Sequence, residues 1–323
     1  MQITAAMVKA LRDRTQAGMM DCKNALVATE GDMEKAVEYL REKGLAASNK
    51  KSGRIAAEGA VDSYLSKDGK IGSLVEVNCE TDFVGKTDTF QTLSADVALQ
   101  VAKTNPKVVS KEEAEGIDDK DVLLEQPFVN NPSITVSTLV NEATLASGEK
   151  ISVRRFERYE AQSGLVDSYI HMGGKIGVLV EVNCSNPDTA ENETFKTLCH
   201  DIALQIAASN PLFITKDNVP QESLEKEREI LRAQALNEGK PEKIVERMVI
   251  GRIEKYYKEV CLVEQPFVKN PDVSVQTLIN DTAKELQDDG VSVARFVRFE
   301  RGEGIERRSS NLADEIAEMT KKA

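Results

Sequence analysis

An internal repeat limits the folds open to this chain more than any other feature of its sequence. Four segments occur twice, three of them at an offset of 105 residues and the fourth at an offset of 139. The matched segments are 59–64 with 164–169, 69–72 with 174–177, 75–79 with 180–184, and 125–129 with 264–268. Because a repeated sequence forms the same supersecondary unit each time, we expect two subdomains of one architecture.

In each copy, the residue pattern predicts a strand, a turn, a second strand, a helix and a late strand. Apolar residues alternate or run together over 61–65 and 74–77, on either side of a glycine-containing turn, which is typical of a β-hairpin. Apolar residues then recur every four positions over 88–103, which predicts a helix. We therefore predict an α+β fold in which subdomains 55–160 and 161–300 each contain an antiparallel sheet.

The second copy is 34 residues longer than the first, and the extra residues lie within about 217–260. Apolar residues lead at helical spacing to a turn at 237–241 and return beyond it at intervals of three and four. These residues are Leu224, Leu231, Ala235, Val245, Val249, Ile253, Tyr256 and Val260. The pattern predicts an inserted antiparallel coiled-coil hairpin, and a plain surface excursion is the alternative.

The first 54 residues differ from the rest of the chain in charge. They carry ten Lys and Arg against seven Asp and Glu, a net charge of +3, which leaves −15 for the remainder. Apolar residues at helical spacing predict three short helices, the third of which ends at Gly44. This module, residues 1–54, resembles the ubiquitin-associated fold. It has too little core to hold an enzyme pocket, so we expect it to dock on a partner.

The end of the chain carries one more helical pattern. Gly302 and Gly304 interrupt the preceding strand pattern, and an apolar stripe of Leu312, Ile316 and Met319 follows. The stripe predicts a C-terminal helical module over 301–323. Its apolar face must pack on the body of the protein or on a partner.

The composition argues against several classes of function. With 42 Lys and Arg against 54 Asp and Glu, the chain has a net charge of −12, which argues against direct binding of nucleic acid. No apolar run approaches the ~20 residues of a membrane span, and we expect neither a membrane association nor a secretory signal. Five widely spaced cysteines without a CxxC pair indicate free thiols in a reducing cytoplasm. Nucleotide-binding, metalloprotease and hydrolase motifs are missing from the sequence, so we expect no cofactor and no resident metal.

The segment that follows the second strand differs completely between the copies. The first copy continues with Thr81, Asp82, Phe83 and Val84, whereas the second has an unrelated run over 185–189. Both copies would keep a segment that served folding alone, so these four residues are candidates for function. The alternative is that Asp82 caps the following helix and Phe83 fills the local core.

Three smaller signals concern methionine, histidine and cysteine. Met19 and Met20 suit an adaptable contact surface, although either one alone would also fit the core of the three-helix module. His171 lies in the predicted hairpin turn of the second copy, where the first copy has serine, and a histidine there is often merely exposed. Cys199 and His200 are neighbours on a predicted helix, so their side chains point about 100° apart, a poor geometry for a nucleophile and its base.

Three signatures in this sequence resemble the elongation factor Ts family. The first is Leu11-Arg-Asp-Arg-Thr15 with Gly18-Met-Met-Asp-Cys-Lys23, the second is Glu76-Val-Asn-Cys-Glu-Thr-Asp-Phe-Val84, and the third is Cys261-Leu-Val-Glu-Gln-Pro-Phe-Val268. The resemblance extends over nearly the whole chain. One departure is Gly85, where the family more often has serine or alanine.

The resemblance implies a guanine-nucleotide exchange factor whose partner is elongation factor Tu and which performs no covalent chemistry itself. It implies that Thr81, Asp82, Phe83 and Val84 intrude beside the Mg²⁺ and phosphate-binding loop of that partner. The residues implied to dock on the partner elsewhere are Arg12, Met19, Met20, His171, Leu312, Ile316 and Met319. Two alternatives are an adaptor that binds a ubiquitin-like protein through residues 1–54, and a thiol enzyme that uses Cys199.

Overall fold

A computed structural model of the chain describes residues 3–15 and 17–306. Three helices come first: α1 (Ala5–Thr15), α2 (Met19–Ala28) and α3 (Met33–Lys51). The first copy of the repeat forms β1 (Glu58–Leu65), β2 (Ile71–Cys79), α4 (Asp82–Gly85), α5 (Asp88–Thr104), β3 (Pro127–Phe128), β4 (Asn131–Thr135), α6 (Val136–Ser147) and β5 (Ser152–Glu160). The second copy forms β6 (Leu165–His171), β7 (Ile176–Asn183), α7 (Pro187–Glu191), α8 (Glu193–Ser209), α9 (Gln221–Asn237), α10 (Glu242–Val260), β8 (Pro266–Phe267), β9 (Asn270–Ser274), α11 (Val275–Leu286) and β10 (Ser292–Glu300).

Six of the strands form two three-stranded antiparallel sheets of matching order, and β3–β4 and β8–β9 form two smaller two-stranded sheets. In the first copy β2 lies between β1 and β5, and in the second β7 lies between β6 and β10. The hairpin register is also shared, because Val61 pairs with Glu76 and Val166 pairs with Glu181. The mixed helices and antiparallel sheets confirm the predicted α+β class.

Each sheet is covered by a helix on one face and by the other sheet on its second face. Helix α5 packs on β1 and β2, and helix α8 packs on β6 and β7. The central strands are consequently buried along almost their whole length. Phe90 of α5 and Phe195 of α8 occupy matching positions in the two helix–sheet cores, and both are fully buried.

The inner faces of the two sheets approach each other closely around two glycines. Val61, Leu74, Val166 and Leu179 belong to the apolar cluster between the sheets. A Cβ atom added to Gly72 would lie 2.6 Å from Val166 Cγ1, and one added to Gly177 would lie still closer to Val61 Cγ1. These two glycines occupy matching positions in the repeat. Each therefore leaves room for a valine side chain of the other copy.

Two arginines link the sheets at the edge of this cluster. Arg155 donates to Glu76 of its own sheet at 2.7 Å and lies 4.2 Å over the Phe299 ring of the other sheet. Arg295 donates to Glu181 at 2.7 Å and lies 4.2 Å over the ring of Tyr159. Each carboxylate therefore orients a cation on an aromatic face across the interface.

The sequence pattern predicted that α3 ends at Gly44, and this prediction is wrong. Helix α3 runs past Gly44 and packs against α6. It continues to Lys51, and Gly44 lies inside it at a close contact. A Cβ atom at Gly44 would be 3.3 Å from the carbonyl oxygen of Asn141 in α6. The glycine thus serves helix packing, and Leu145 of α6 packs against the core of the first three helices.

The longer connection of the second copy contains the predicted pair of helices. Helices α9 and α10 are joined by a short turn over 238–241 and share an apolar cluster that includes Leu224, Ala235, Val245, Val249 and Ile253. Arg232 pairs with Glu246, and Glu238 pairs with Arg252, so the second helix returns along the first. The predicted helix that carries Leu312, Ile316 and Met319 lies outside the described residues.

We expect Gly177→Ala to destabilise the protein by about 1–3 kcal/mol, because its methyl group would overlap Val61 and force the sheets apart. Urea unfolding measures this change. Gly251→Ala is the control, since no atom of the described residues lies within 4 Å of a Cβ atom at that helical position. The control is expected to stabilise the protein slightly through helix propensity. Equal stability of the unaltered chain and Gly177→Ala would contradict the close approach of the sheets.

Candidate functional site

The segment that differs between the copies forms a single helical turn with an exposed phenylalanine. The Thr81 hydroxyl caps α4 by accepting from the Val84 amide at 3.4 Å. Val84 packs against the core of the first copy, whereas the Phe83 side chain on the same turn is 81% exposed. The alternative that Phe83 fills the local core is therefore wrong.

Asp82 lies at the start of the same turn and does not cap the next helix. That cap is Thr87, whose hydroxyl accepts from the Phe90 amide at 3.3 Å. Asp82 instead accepts from Lys86 Nζ at 2.6 Å. This hydrogen bond and charge lower the pKa of the exposed Asp82 carboxyl, so the group is ionised at neutral pH.

The second copy has the same backbone arrangement at this place but different side chains. Its α7 places Thr189 inward, at the position of Val84, and Asp188 outward, at the position of Phe83. The outward position is exposed in both copies, so the fold requires no large apolar residue there. An exposed Phe83 is thus an addition to the common framework.

A carboxylate from a distant turn fixes this loop in both copies. In the first, Glu149 accepts from the Thr81 amide at 3.0 Å and from the Thr81 hydroxyl at 2.6 Å. In the second, Asp288 accepts from the amides of Ser185 and Asn186 at 3.0 and 2.9 Å. The helical turn that carries Phe83 is therefore held in place from the α6–β5 connection. Glu149 was missed from the sequence alone, although its match to Asp288 at the offset of 139 is a detectable signal.

The methionine pair lies on the surface of the first three helices. Met19 and Met20 are the first two residues of α2, and their side chains are 48% and 64% exposed. Neither fills the core of this module, which contains Leu11, Cys22 and Leu26. Arg12, on α1, is also exposed.

A groove of about 370 Å³ lies between the first three helices and the first copy. Its walls include Arg14 and Thr15 at the end of α1, and Asp88 and Leu93 of α5. Thr15 precedes Met19 by four residues, and Asp88 follows Phe83 by five. The walls of the groove are thus close in sequence to the methionine pair and to the α4 turn.

His171 belongs to the second copy and is not brought into this groove by any described contact. It is the last residue of β6, is exposed, and its Nδ1 atom lies 3.1 Å from the Tyr169 hydroxyl. The other three candidates for docking, Leu312, Ile316 and Met319, lie outside the described residues.

The structure does not support a thiol nucleophile. Cys199 is buried, and burial raises the pKa of its thiol far above the usual value. His200 lies instead 3.4 Å from the Asp167 carboxylate. Within residues 3–15 and 17–306, no group of three or more His, Cys, Asp or Glu is arranged to hold a metal ion. Over the same ranges, no helix combines the length and apolar character that crossing a membrane requires.

Known proteins resemble this chain over almost all of its length. The family described as "Elongation factor TS" matches residues 80–303. A Clostridium perfringens (strain SM101) protein named elongation factor Ts is 53% identical over 98% of this chain and 99% of its own length. Proteins of the same name from Clostridium botulinum (strain Alaska E43) and Clostridium novyi (strain NT) are 52% and 49% identical, over 98% and 97% of this chain and 99% and 97% of their own lengths.

We expect the loop anchor at Asp288 to make stability depend on pH in the acid range. Burial opposes ionisation of Asp288, but hydrogen bonds from the amides of Asn186 and Ser185, the Thr189 side chain and the Gly290 amide outweigh it and hold the pKa at about 2. Because the unfolded value is near ~3.9, the charged anchor stabilises the fold above about pH 4, and this contribution is lost as the pH falls towards 2. Asp288→Asn should therefore be less stable than the unaltered chain at pH 7, and the difference should shrink below pH 4. Urea melts at pH 7, 4 and 3 measure it, and a difference that stays constant with pH would contradict the anchor.

Proposed function

The chain belongs to the elongation factor Ts family, and we propose that it binds elongation factor Tu in its GDP-bound form and promotes the release of GDP. GTP then enters the emptied site. In this proposal the chain acts in the cytoplasm as a nucleotide exchange factor and makes or breaks no covalent bond. The observation that carries the proposal is the exposed phenylalanine on the anchored α4 turn.

Phe83 has the properties of a residue that a partner covers. Its ring is 81% exposed, although the fold places a charged residue at the matching position of the second copy. The turn beneath it is capped by Thr81 and anchored by Glu149, so the ring is presented from a fixed backbone. A large apolar side chain held rigidly in solvent supports an insertion into a pocket of another protein.

Such an insertion suffices for nucleotide exchange. In GTPases, GDP is held by backbone amides, a lysine and a Mg²⁺ ion that bridges phosphate and protein oxygens. An exchange factor need only bind the empty state more tightly than the loaded state, and the coupling is reciprocal. We propose that Phe83 displaces the elements behind the metal site, while the ionised Asp82 adds a carboxylate beside the Mg²⁺ ion. Thr81 and Val84 hold the turn that carries both.

The energy available from one side chain sets the scale of the effect. Burying a phenylalanine is worth roughly 1.5–3 kcal/mol, and each ~1.4 kcal/mol is a tenfold change in affinity. Phe83 alone therefore accounts for about a ten- to a hundredfold decrease in the affinity of elongation factor Tu for GDP. Larger effects need further contacts, which we assign to the residues Arg12, Met19, Met20, His171, Leu312, Ile316 and Met319.

The domain organisation proposed here follows the order of helices and strands. Residues 1–54 are a ubiquitin-associated-like docking module, 55–160 and 161–300 are the repeated subdomains, and 301–323 are a C-terminal module. Helices α9 and α10 are a coiled-coil protrusion to which no step of nucleotide release is assigned. A ubiquitin-like-protein adaptor would use only the first module and would leave Phe83 without a role.

We expect Phe83→Ala to slow GDP release from elongation factor Tu by about ten- to a hundredfold, the worth of one buried phenylalanine. Stopped-flow release of labelled GDP measures the rate. The melting temperature should change little, because Phe83 makes few contacts in the free protein. Asp188→Ala, at the matching position of the second copy, is the control and should leave the rate unchanged. Loss of folded protein without a slower rate for the folded fraction would show that Phe83 serves stability alone.

We expect the double substitution Met19→Ala and Met20→Ala to weaken docking on elongation factor Tu more than it slows GDP release from the docked complex. Both side chains are exposed, so the module should remain folded. The concentration of the chain that gives half-maximal GDP release should rise about tenfold, as expected for two truncated interface side chains. Leu45→Ala, which removes another exposed apolar side chain from the module, is the control. An unchanged half-maximal concentration would remove the methionine pair from the interface.

A further inference from the structure

The connection between α6 and β5 contacts both the α4 loop and the end of the first three helices. Its residue Glu149 accepts from Thr81, as described above. The next residue, Lys150, donates its amide to Glu80 Oε1 at 2.6 Å. Two successive residues therefore bind the two residues that lead into α4.

The side chain of Lys150 contacts the segment that follows helix α3. Its Nζ atom donates to the carbonyl oxygens of Ser52 at 2.6 Å and Arg54 at 3.0 Å, just beyond the end of α3. Arg54 in turn donates to Glu80 at 3.2 Å. Glu80, Lys150 and Arg54 thus form a closed ring of contacts between α3 and the α4 loop.

The second copy provides an internal comparison for this junction. Asp288 there anchors the loop as Glu149 does, so the carboxylate anchor belongs to the shared fold. Ser185 stands at the position of Glu80, and Asp289 and Gly290 together stand where the first copy has Lys150, because the second copy has one more residue before its last strand; neither can form the ring. The ring occurs only in the copy to which the first three helices are attached. The ring of Glu80, Lys150 and Arg54 therefore serves the attachment of those helices and not the folding of the repeat.

We propose that Lys150 is a positioning residue for nucleotide exchange: it fixes the first three helices relative to the α4 turn, so that docking through the methionine pair brings Phe83 to its pocket in the partner. The inference rests on the proposed function and adds a residue that contacts neither nucleotide nor metal. A fixed spacing between two contact regions saves the entropy of ordering them separately and raises the effective concentration of the second contact.

The contacts themselves are expected to add little to stability. Arg54 is half exposed, which limits what its ion pair with Glu80 contributes to folding, and the hydrogen bond from the Lys150 amide to Glu80 does not depend on the Lys150 side chain. Loss of the ring should therefore change the melting temperature only slightly. This separates a positioning role from a structural one.

The test is a double-mutant cycle between Lys150→Met and Phe83→Ala, with GDP release from elongation factor Tu measured at saturating concentrations of the chain. Lys150→Met alone should lower the maximal release rate by about three- to tenfold, the range of coupling between residues that share a network. In the Phe83→Ala background it should have no further effect, because the group to be positioned is gone. Lys150→Arg, which keeps a donor, should recover most of the rate. Asp289→Ala, a control in the corresponding connection of the second copy, should behave as the unaltered chain.

Each other outcome has a defined meaning. An equal slowing by Lys150→Met in both backgrounds would show a general structural effect and overturn the positioning role. No slowing by Lys150→Met, with Phe83→Ala slow, would also overturn it and would leave the proposed function intact. If Phe83→Ala is as fast as the unaltered chain, the proposed role of Phe83 fails, and the positioning role fails with it.

Discussion

The face-to-face packing of the two sheets is the contact on which the rest of the molecule depends. Gly72 and Gly177 leave room for Val166 and Val61, so the sheets lie close enough to bury their central strands on both faces. Neither three-stranded sheet with its one helix would bury both of its faces alone. The arginines that pair with Glu76 and Glu181 complete the same interface from its edges. Two copies of a repeat are thereby packed against one shared core.

That shared framework makes the differences between the copies informative. Both copies anchor the loop after the second strand by a carboxylate, and both leave the second residue of the following short helix exposed. The first copy alone places phenylalanine there, and it alone bears the ring of Glu80, Lys150 and Arg54. The residues proposed to displace the nucleotide therefore belong to one copy, while the other supplies the surface on which the first is held.

The features that the sequence predicted correctly depend on local patterns. The hairpins follow from alternation around glycine turns, and α5 and the α9–α10 pair follow from helical spacing. The end of α3 was misplaced because Gly44 is explained by Asn141 in a helix far along the chain. The exposure of Phe83 was left open for the same reason, since burial depends on tertiary neighbours. Glu149 and Lys150 were missed because their partners Thr81 and Glu80 lie 68 and 70 residues away.

We propose that this chain, with its two sheets packed face to face, lowers the affinity of elongation factor Tu for GDP. The most direct measurement is stopped-flow release of fluorescent GDP from purified elongation factor Tu as the concentration of the chain is raised. The release rate should increase with concentration and reach a plateau, and added free GDP should weaken binding of the chain by the same factor, since the coupling is reciprocal. A release rate that does not change at any concentration of the folded chain would show that the chain is not an exchange factor for elongation factor Tu.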